Sequence, residues 1–93
     1  MKAFIVEDEL IAQNKLSRML KEAFDDVEIV GSASSVKDTL EWLRTPDNEA
    51  DVIFMDVELA DGNCFNIFRE QEIKANVVMT TAYDSYAIKA FEA

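Results

Sequence analysis

Short apolar runs alternate along the chain with longer stretches in which apolar residues recur at helical spacing. Four runs are rich in strand-forming residues and too short for a stable helix, which predicts strands over residues 2–6, 27–30, 51–55 and 77–79. Apolar positions three and four residues apart predict a helix after each strand. These helices run from Ala12 to Phe24, over Val36 to Leu43, from Phe65 to near Lys74, and over Tyr83, Tyr86, Ala87, Ala90 and Phe91 to the C-terminus.

The predicted order βαβαβαβα defines an α/β fold with a doubly wound parallel sheet. Strict alternation of strands and helices requires right-handed crossovers that place helices on both faces of the sheet. Ser35, followed three residues later by Asp38, offers an N-cap for the second helix. Ligands of such folds bind beyond the carboxyl ends of the strands, so the residues that follow each strand are the candidates for function.

Acidic and hydroxyl side chains occupy these positions. Glu7 and Asp8 follow the first strand, Asp56 follows the third, and Thr80 and Thr81 follow the fourth. Carboxylates at strand ends are often merely solvated, but neighbouring first and third strands would bring all three acids within several ångströms. Their like charges would raise one another's pKa unless a cation intervened. The pattern therefore predicts a site for a divalent cation and phosphate oxygens.

Composition narrows the chemistry of that site. Ninety-three residues allow one small domain, and nine basic against nineteen acidic residues give a net charge of −10, which disfavours direct binding of nucleic acid or anionic membranes. The chain has no histidine and one cysteine, Cys64, so a metal must be held by oxygen, as Mg2+ and Ca2+ are. No apolar run is long enough to span a membrane, and we expect a soluble, cytoplasmic protein.

Three segments, each at the end of a predicted strand, resemble the receiver domain of two-component response regulators. They are residues 4–9, 51–56 and 78–83, and together they match the family's three signatures in order. Residues 80–92 are similar to receivers that precede a LytTR-type DNA-binding domain. The resemblance covers the whole chain, so it implies that residues 1–93 form one receiver domain with a flavodoxin-like fold.

The resemblance also implies a role for each candidate residue. Asp56 is the expected phosphoacceptor for a sensor histidine kinase, and Thr81 is the expected switch hydroxyl. Mg2+ is the expected cofactor, held by Glu7, Asp8, Asp56 and the backbone carbonyl of Glu58. The implied function is a phosphorylation switch in signal transduction and transcription regulation, rather than an enzyme, acting on an output domain outside this chain.

The chain departs from the family pattern in two places. Ala60-Asp61-Gly62 stands where many receivers have a proline, a change that affects loop stiffness. The sequence also ends before the family's fifth strand, which carries a lysine, and before the fifth helix. We therefore expect a C-terminally incomplete domain in which residues 77–79 form an unpaired edge. Such an edge predicts a homodimer by edge pairing, or by exchange of the last helix.

Two other functions remain open from the sequence. The missing lysine and exposed edge favour an interaction module that works without phosphorylation. A Mg2+-dependent phosphoryl or nucleotidyl enzyme also sets acids at parallel strand ends, as Toprim-type and haloacid-dehalogenase-type sites do. Those sites require a second aspartate two residues after the first, where this chain has Glu58. The net charge also disfavours binding of a nucleic-acid substrate.

Overall fold

The computed structural model describes residues 1–80 and the backbone of residues 89–91. In this part of the chain, strands and helices follow one another in the order β1 (Lys2–Val6), α1 (Leu10–Ala23), β2 (Glu28–Ala33), α2 (Val36–Arg44), β3 (Val52–Asp56), β4 (Glu58–Leu59), β5 (Gly62–Asn63), α3 (Cys64–Glu70), β6 (Asn76–Thr80) and β7 (Lys89–Phe91). None of the helices in these residues is long and apolar enough to cross a membrane.

The central sheet has the strand order β2-β1-β3-β6-β7. Its first four strands are parallel, with Val6 opposite both Ala33 and Met55, and Asp56 opposite Thr80. This arrangement confirms the predicted doubly wound fold and its first three helices. Because the register aligns the strand ends, the residues that follow β1 and the last residue of β3 lie at one edge of the sheet.

Strand β7 corrects the prediction for the C-terminal segment. Lys89, Ala90 and Phe91 form a strand antiparallel to β6, so the predicted helix is wrong over these residues. Pairing with β6 therefore overrides the helical spacing of these residues, since local propensity yields to the tertiary context. Tyr83, Tyr86 and Ala87 of that predicted helix lie outside the described residues.

The prediction of an unpaired sheet edge at β6 is also wrong, because β7 pairs with this strand. Residues 77–79, expected to be unpaired, lie opposite Phe91, Ala90 and Lys89 respectively. A parallel fifth strand is absent from the described part of the chain, but the antiparallel β7 takes its place beside β6. The expected homodimer through an unpaired edge of β6 therefore loses its structural basis.

Two apolar clusters fill the two faces of the sheet. Alternate residues of β1 and β3 point to opposite faces: Phe4 and Ile53 face α2 and α3, whereas Ile5 and Phe54 face α1. On the first face, the ring of Phe4 stacks on Trp42 of α2, with centroids 4.0 Å apart. Both faces of the sheet are thus covered by helices, as a parallel sheet requires.

The helix boundaries follow local hydrogen bonding. The hydroxyl of Ser35 accepts from the backbone N–H of Asp38 at 3.0 Å, which confirms the predicted N-cap of α2. Helix α3 ends at Glu70 rather than near Lys74, because Gln71 is extended and Ile73 turns into the core. The turn predicted at residues 61–63 is part of a small hairpin, β4 paired with β5.

Candidate functional site

Three carboxylates converge at the carboxyl edge of the sheet. Glu7 and Asp8 directly follow β1, and Asp56 is the last residue of the neighbouring β3. One carboxylate oxygen from each residue lies within 4.8 Å of the other two. The structure therefore brings together the three acids that the sequence singled out.

Hydrogen bonds hold two of these acids in place. Glu7 is 9% exposed, its Oε2 accepts from the backbone N–H of Glu9 at 2.9 Å, and its own N–H donates to the carbonyl of Ala33 at 2.9 Å. Asp56 is 8% exposed and accepts from the backbone N–H groups of Val57 and Glu58. The third acid, Asp8, is exposed. The site thus has two buried acids and one that faces solvent.

The close approach of the acids changes their protonation. Burial is the main cause that raises the pKa of Glu7 to about 7, and hydrogen bonding to Asp8 and the charge of Asp56 add to it. Burial and the charge of Asp8 also raise the pKa of Asp56, against the backbone N–H donors and the hydrogen bond from Glu7. The raised pKa values mean that this cluster keeps a proton to a higher pH than exposed carboxylates do.

The donor set fits a hard divalent cation. Mg2+ binds oxygen ligands at about 2.0–2.1 Å in an octahedron, which places those oxygens roughly 3–4 Å apart. The three carboxylates are within 4.8 Å of one another, so small side-chain adjustments bring them to that spacing. Glu58 lies two residues after Asp56, and its backbone is held in β4 opposite Asn63. These four residues are the candidates for holding the ion.

Thr81, the expected switch hydroxyl, lies outside the described residues. Its neighbour Thr80 ends β6 directly opposite Asp56. Strand β6 therefore ends at the edge where the carboxylates meet.

Cys64 packs beneath the site as a small apolar side chain. It is fully buried at the start of α3, and its backbone N–H donates to the carbonyl of Val57 at 2.8 Å. Burial is the main cause that raises the pKa of its thiol, and the charge of Asp56 adds to it. A buried, protonated thiol is a weak nucleophile, so Cys64 supports the site by packing.

The sequence did not predict two residues that hold the loops around the acids in place. The side-chain amide of Gln13 donates to the carbonyl of Glu7 at 2.6 Å, and Asp61 accepts from the backbone N–H groups of Val36 and Lys37 at 2.6 and 3.1 Å. Both contacts join segments that are distant in sequence or separated by a turn. The sequence signal for Asp61 was its position in a predicted turn, and Gln13 was only a polar residue of a predicted helix; neither signal identifies a partner.

Comparison with known proteins places these observations in a family. The model of the response regulator receiver domain matches residues 3–93. The chain is 40% identical over 95 residues to the sensory transduction protein LytT of Bacillus anthracis, and 38% identical to the transcriptional regulatory protein LytR of Staphylococcus aureus strain N315. Each alignment covers 99% of this chain and 37% of the relative, so the chain spans about 37% of the length of these relatives.

A solved structure supports the same assignment. The response regulatory domain of protein mrkE from Klebsiella pneumoniae superposes with a TM-score of 0.75 at 32% identity. That match covers 94% of this chain and 71% of the mrkE chain. The chain belongs to the response regulator receiver domain family.

Proposed function

We propose that this receiver domain accepts a phosphoryl group on Asp56 from a phosphohistidine of a sensor kinase. The observation that carries the proposal is the buried carboxylate of Asp56, which lies within 4.8 Å of two further carboxylates at the carboxyl edge of the sheet. Glu7, Asp8, Asp56 and the carbonyl of Glu58 are the proposed Mg2+ ligands. Receiver domains are signalling modules, and the acids in this arrangement fit that role.

The proposed reaction is a nucleophilic displacement at phosphorus. A carboxylate oxygen of Asp56 forms the new P–O bond as the P–N bond to the imidazole breaks, and the electron pair of that bond returns to the imidazole nitrogen. The backbone N–H groups of Val57 and Glu58 orient the attacking carboxylate. Bound Mg2+ supplies positive charge that offsets the charge on the transferring phosphoryl oxygens.

Helix α1 is the proposed contact surface for the kinase. Leu10 and Ile11 begin this helix just after the acidic turn and are 68% and 83% exposed. The same helix carries three of the chain's nine basic residues, Lys15, Arg18 and Lys21. Exposed apolar residues close in sequence to Glu7 and Asp8, followed by basic ones, suit a partner with an apolar and acidic docking face.

The proposal extends to the consequences of phosphorylation. We assign Thr81 as the hydroxyl that contacts the phosphoryl group, since Thr80 already lies opposite Asp56. The relatives include a transcriptional regulatory protein, and we propose that this receiver likewise controls a DNA-binding domain outside the chain. The proposed setting is the cytoplasm.

Intact-mass measurement with acetyl phosphate and Mg2+ tests the proposal. We expect one added phosphoryl group on the unmodified protein and none on Asp56→Asn. Asp25→Asn, an exposed aspartate far from the acid cluster in sequence, is the matched control and should be phosphorylated normally. A folded protein that gains no phosphoryl group would contradict the proposal and favour an interaction module that works without phosphorylation.

A further inference from the structure

The side chain of Gln13 reaches back from α1 to the turn that carries the acids. Gln13 lies in the first turn of the helix, where its backbone N–H donates to the carbonyl of Glu9 at 2.9 Å. Its side-chain Nε2 donates to the carbonyl of Glu7 at 2.6 Å and to that of Ala33 at 3.3 Å. A primary amide has two N–H donors, so it can serve both carbonyls at once. Because both partners are acceptors, the amide nitrogen rather than its oxygen must face them.

These two carbonyls lie where the backbone leaves the sheet. Ala33 is the last residue of β2, and Glu7 follows the last residue of β1. Ala33 also accepts from the backbone N–H of Glu7 at 2.9 Å. Gln13 thereby joins the start of α1 to the ends of two neighbouring strands, and Glu7 is anchored at its N–H, its carbonyl and its side chain.

The acid cluster needs such an anchor. Three carboxylates within 4.8 Å repel one another when they ionise, and the turn from Glu7 to Glu9 lies outside the strand ladder. Glu9, at the N-cap of α1, makes no side-chain capping bond, so its side chain does not fix the helix to the turn. The neutral amide of Gln13 holds the turn without bringing a positive charge that would compete with a cation.

We propose that Gln13 is a positioning residue that keeps the Glu7–Asp8 turn in its cation-binding arrangement. This inference rests on the proposed Mg2+ site. Gln13 would contact neither the ion nor the phosphoryl group, and it acts through the backbone of Glu7. Residues that orient metal ligands from outside the coordination sphere typically change metal affinity by about 10- to 100-fold.

The test compares Mg2+ affinity in two variants that each replace an amide with a carboxylate of similar size. Gln13→Glu removes both donors, whereas Asn14→Asp adds the same charge at the exposed neighbouring position. Added negative charge alone tightens cation binding. We therefore expect isothermal titration at pH 8 to show Mg2+ binding weakened by about 10-fold in Gln13→Glu, and unchanged or tighter binding in Asn14→Asp.

Thermal unfolding without Mg2+ separates positioning from general stability. A merely structural role would lower the melting temperature and leave the dissociation constant, measured well below that temperature, unchanged. If Gln13→Glu does not fold, Gln13→Met removes the same donors without adding charge and should show the same weakened binding. Wild-type Mg2+ affinity in a folded Gln13 variant would overturn this inference alone. An unmodified protein that binds no Mg2+ would overturn the proposed function as well.

Discussion

The Glu7 carboxyl retains a proton at a pH where an exposed glutamate has lost its own. Burial raises its pKa from an ordinary value of 4.5 to about 7, and the raised pKa of Asp56 acts in the same direction. The folded protein therefore binds more protons than the unfolded chain between these values. By linkage, this contribution to stability is fully present below pH 4.5 and is lost as the pH rises through about 7.

Thermal unfolding of the metal-free protein across that pH range tests the shift. We expect the melting temperature to fall as the pH rises from 5 to about 7.5, and Glu7→Gln to reduce this slope because its neutral side chain cannot titrate. Glu22→Gln, an exposed glutamate on α1, is the control and should keep the slope. A slope that survives unchanged in Glu7→Gln would assign the pH dependence to other groups.

Gly62 occupies a backbone conformation that other residues rarely adopt. Its φ is 150°, and a Cβ built there would lie 2.7 Å from Nδ2 of Asn66. We expect Gly62→Ala to lower the free energy of unfolding by about 1–3 kcal/mol, mainly through backbone strain. Urea unfolding followed by the fluorescence of Trp42, the single tryptophan, measures this change.

The double variant Gly62→Ala/Asn66→Ala separates strain from crowding. Removing the Asn66 side chain abolishes the 2.7 Å contact but leaves the φ of 150°. Relative to Asn66→Ala alone, the double variant should therefore still lose most of the same free energy. Full recovery would show that crowding, not backbone strain, sets the cost.

At the scale of elements, one side chain connects the β4–β5 hairpin to α2. Asp61, between β4 and β5, accepts from the backbone N–H groups of Val36 and Lys37, which are free donors at the start of that helix. These contacts lower the pKa of Asp61. The hairpin that follows Asp56 is thus fixed to the N-terminus of a helix 25 residues earlier in the chain.

Loss of the two hydrogen bonds from the N-terminus of α2 to Asp61 should destabilise the fold measurably. We expect Asp61→Ala to lower the free energy of unfolding by about 1 kcal/mol, as loss of a helix N-cap does, and Asp25→Ala, at an exposed position, to have little effect. Because the pKa of Asp61 is lowered, its contribution is present above 3.8 and is lost as the pH falls through the lower folded value. Equal urea midpoints for the two variants at neutral pH would show that the cap contributes nothing.

The sequence predicted elements wherever a local pattern determined them. Strands β1 and β3 are apolar runs, with Glu7 and Asp8 directly after β1 and Asp56 at the end of β3. Both the parallel sheet and the convergence of these three acids could therefore be inferred from the sequence. Strand β7 could not, because residues 89–91 have helical spacing and their pairing with β6 depends on a chain reversal. The bond from Gln13 to Glu7 was equally hidden, since it depends on the orientation of α1.

For the whole molecule, the net charge of −10 means that salt can raise stability in two ways. It screens the repulsion between acidic residues, and its cation can bind at a specific site. Any salt should stabilise a strongly acidic domain by screening its self-repulsion. A bound ion adds RT ln(1 + [Mg2+]/Kd), about 2.7 kcal/mol at a hundred times Kd. We expect MgCl2 to raise the melting temperature more than NaCl at equal ionic strength, and Asp56→Asn to reduce that difference. Equal effects of the two salts would indicate screening alone.

The proposed kinase surface also belongs to the scale of the whole molecule, because it would combine α1 with the end of the sheet. Ile11 is 83% exposed and follows Asp8 by three residues, whereas Met19, also exposed, lies eight residues further along the same helix. A residue that anchors an interface typically costs more than about 1 kcal/mol when truncated, and a loss of about 1.4 kcal/mol is a tenfold change in affinity.

We expect Ile11→Ala to slow phosphotransfer from a phosphorylated sensor kinase by about 10-fold and to leave phosphorylation by acetyl phosphate unchanged. A small donor needs the acids at the site but no docking surface, so the two donors separate recognition from chemistry. Met19→Ala is the matched control, because it removes a similar exposed apolar side chain further from the acids. If Ile11→Ala slows phosphorylation equally by the kinase and by acetyl phosphate, the substitution acts on the site itself. If Ile11→Ala and Met19→Ala slow phosphotransfer from the kinase equally, the kinase contact extends along the whole of α1.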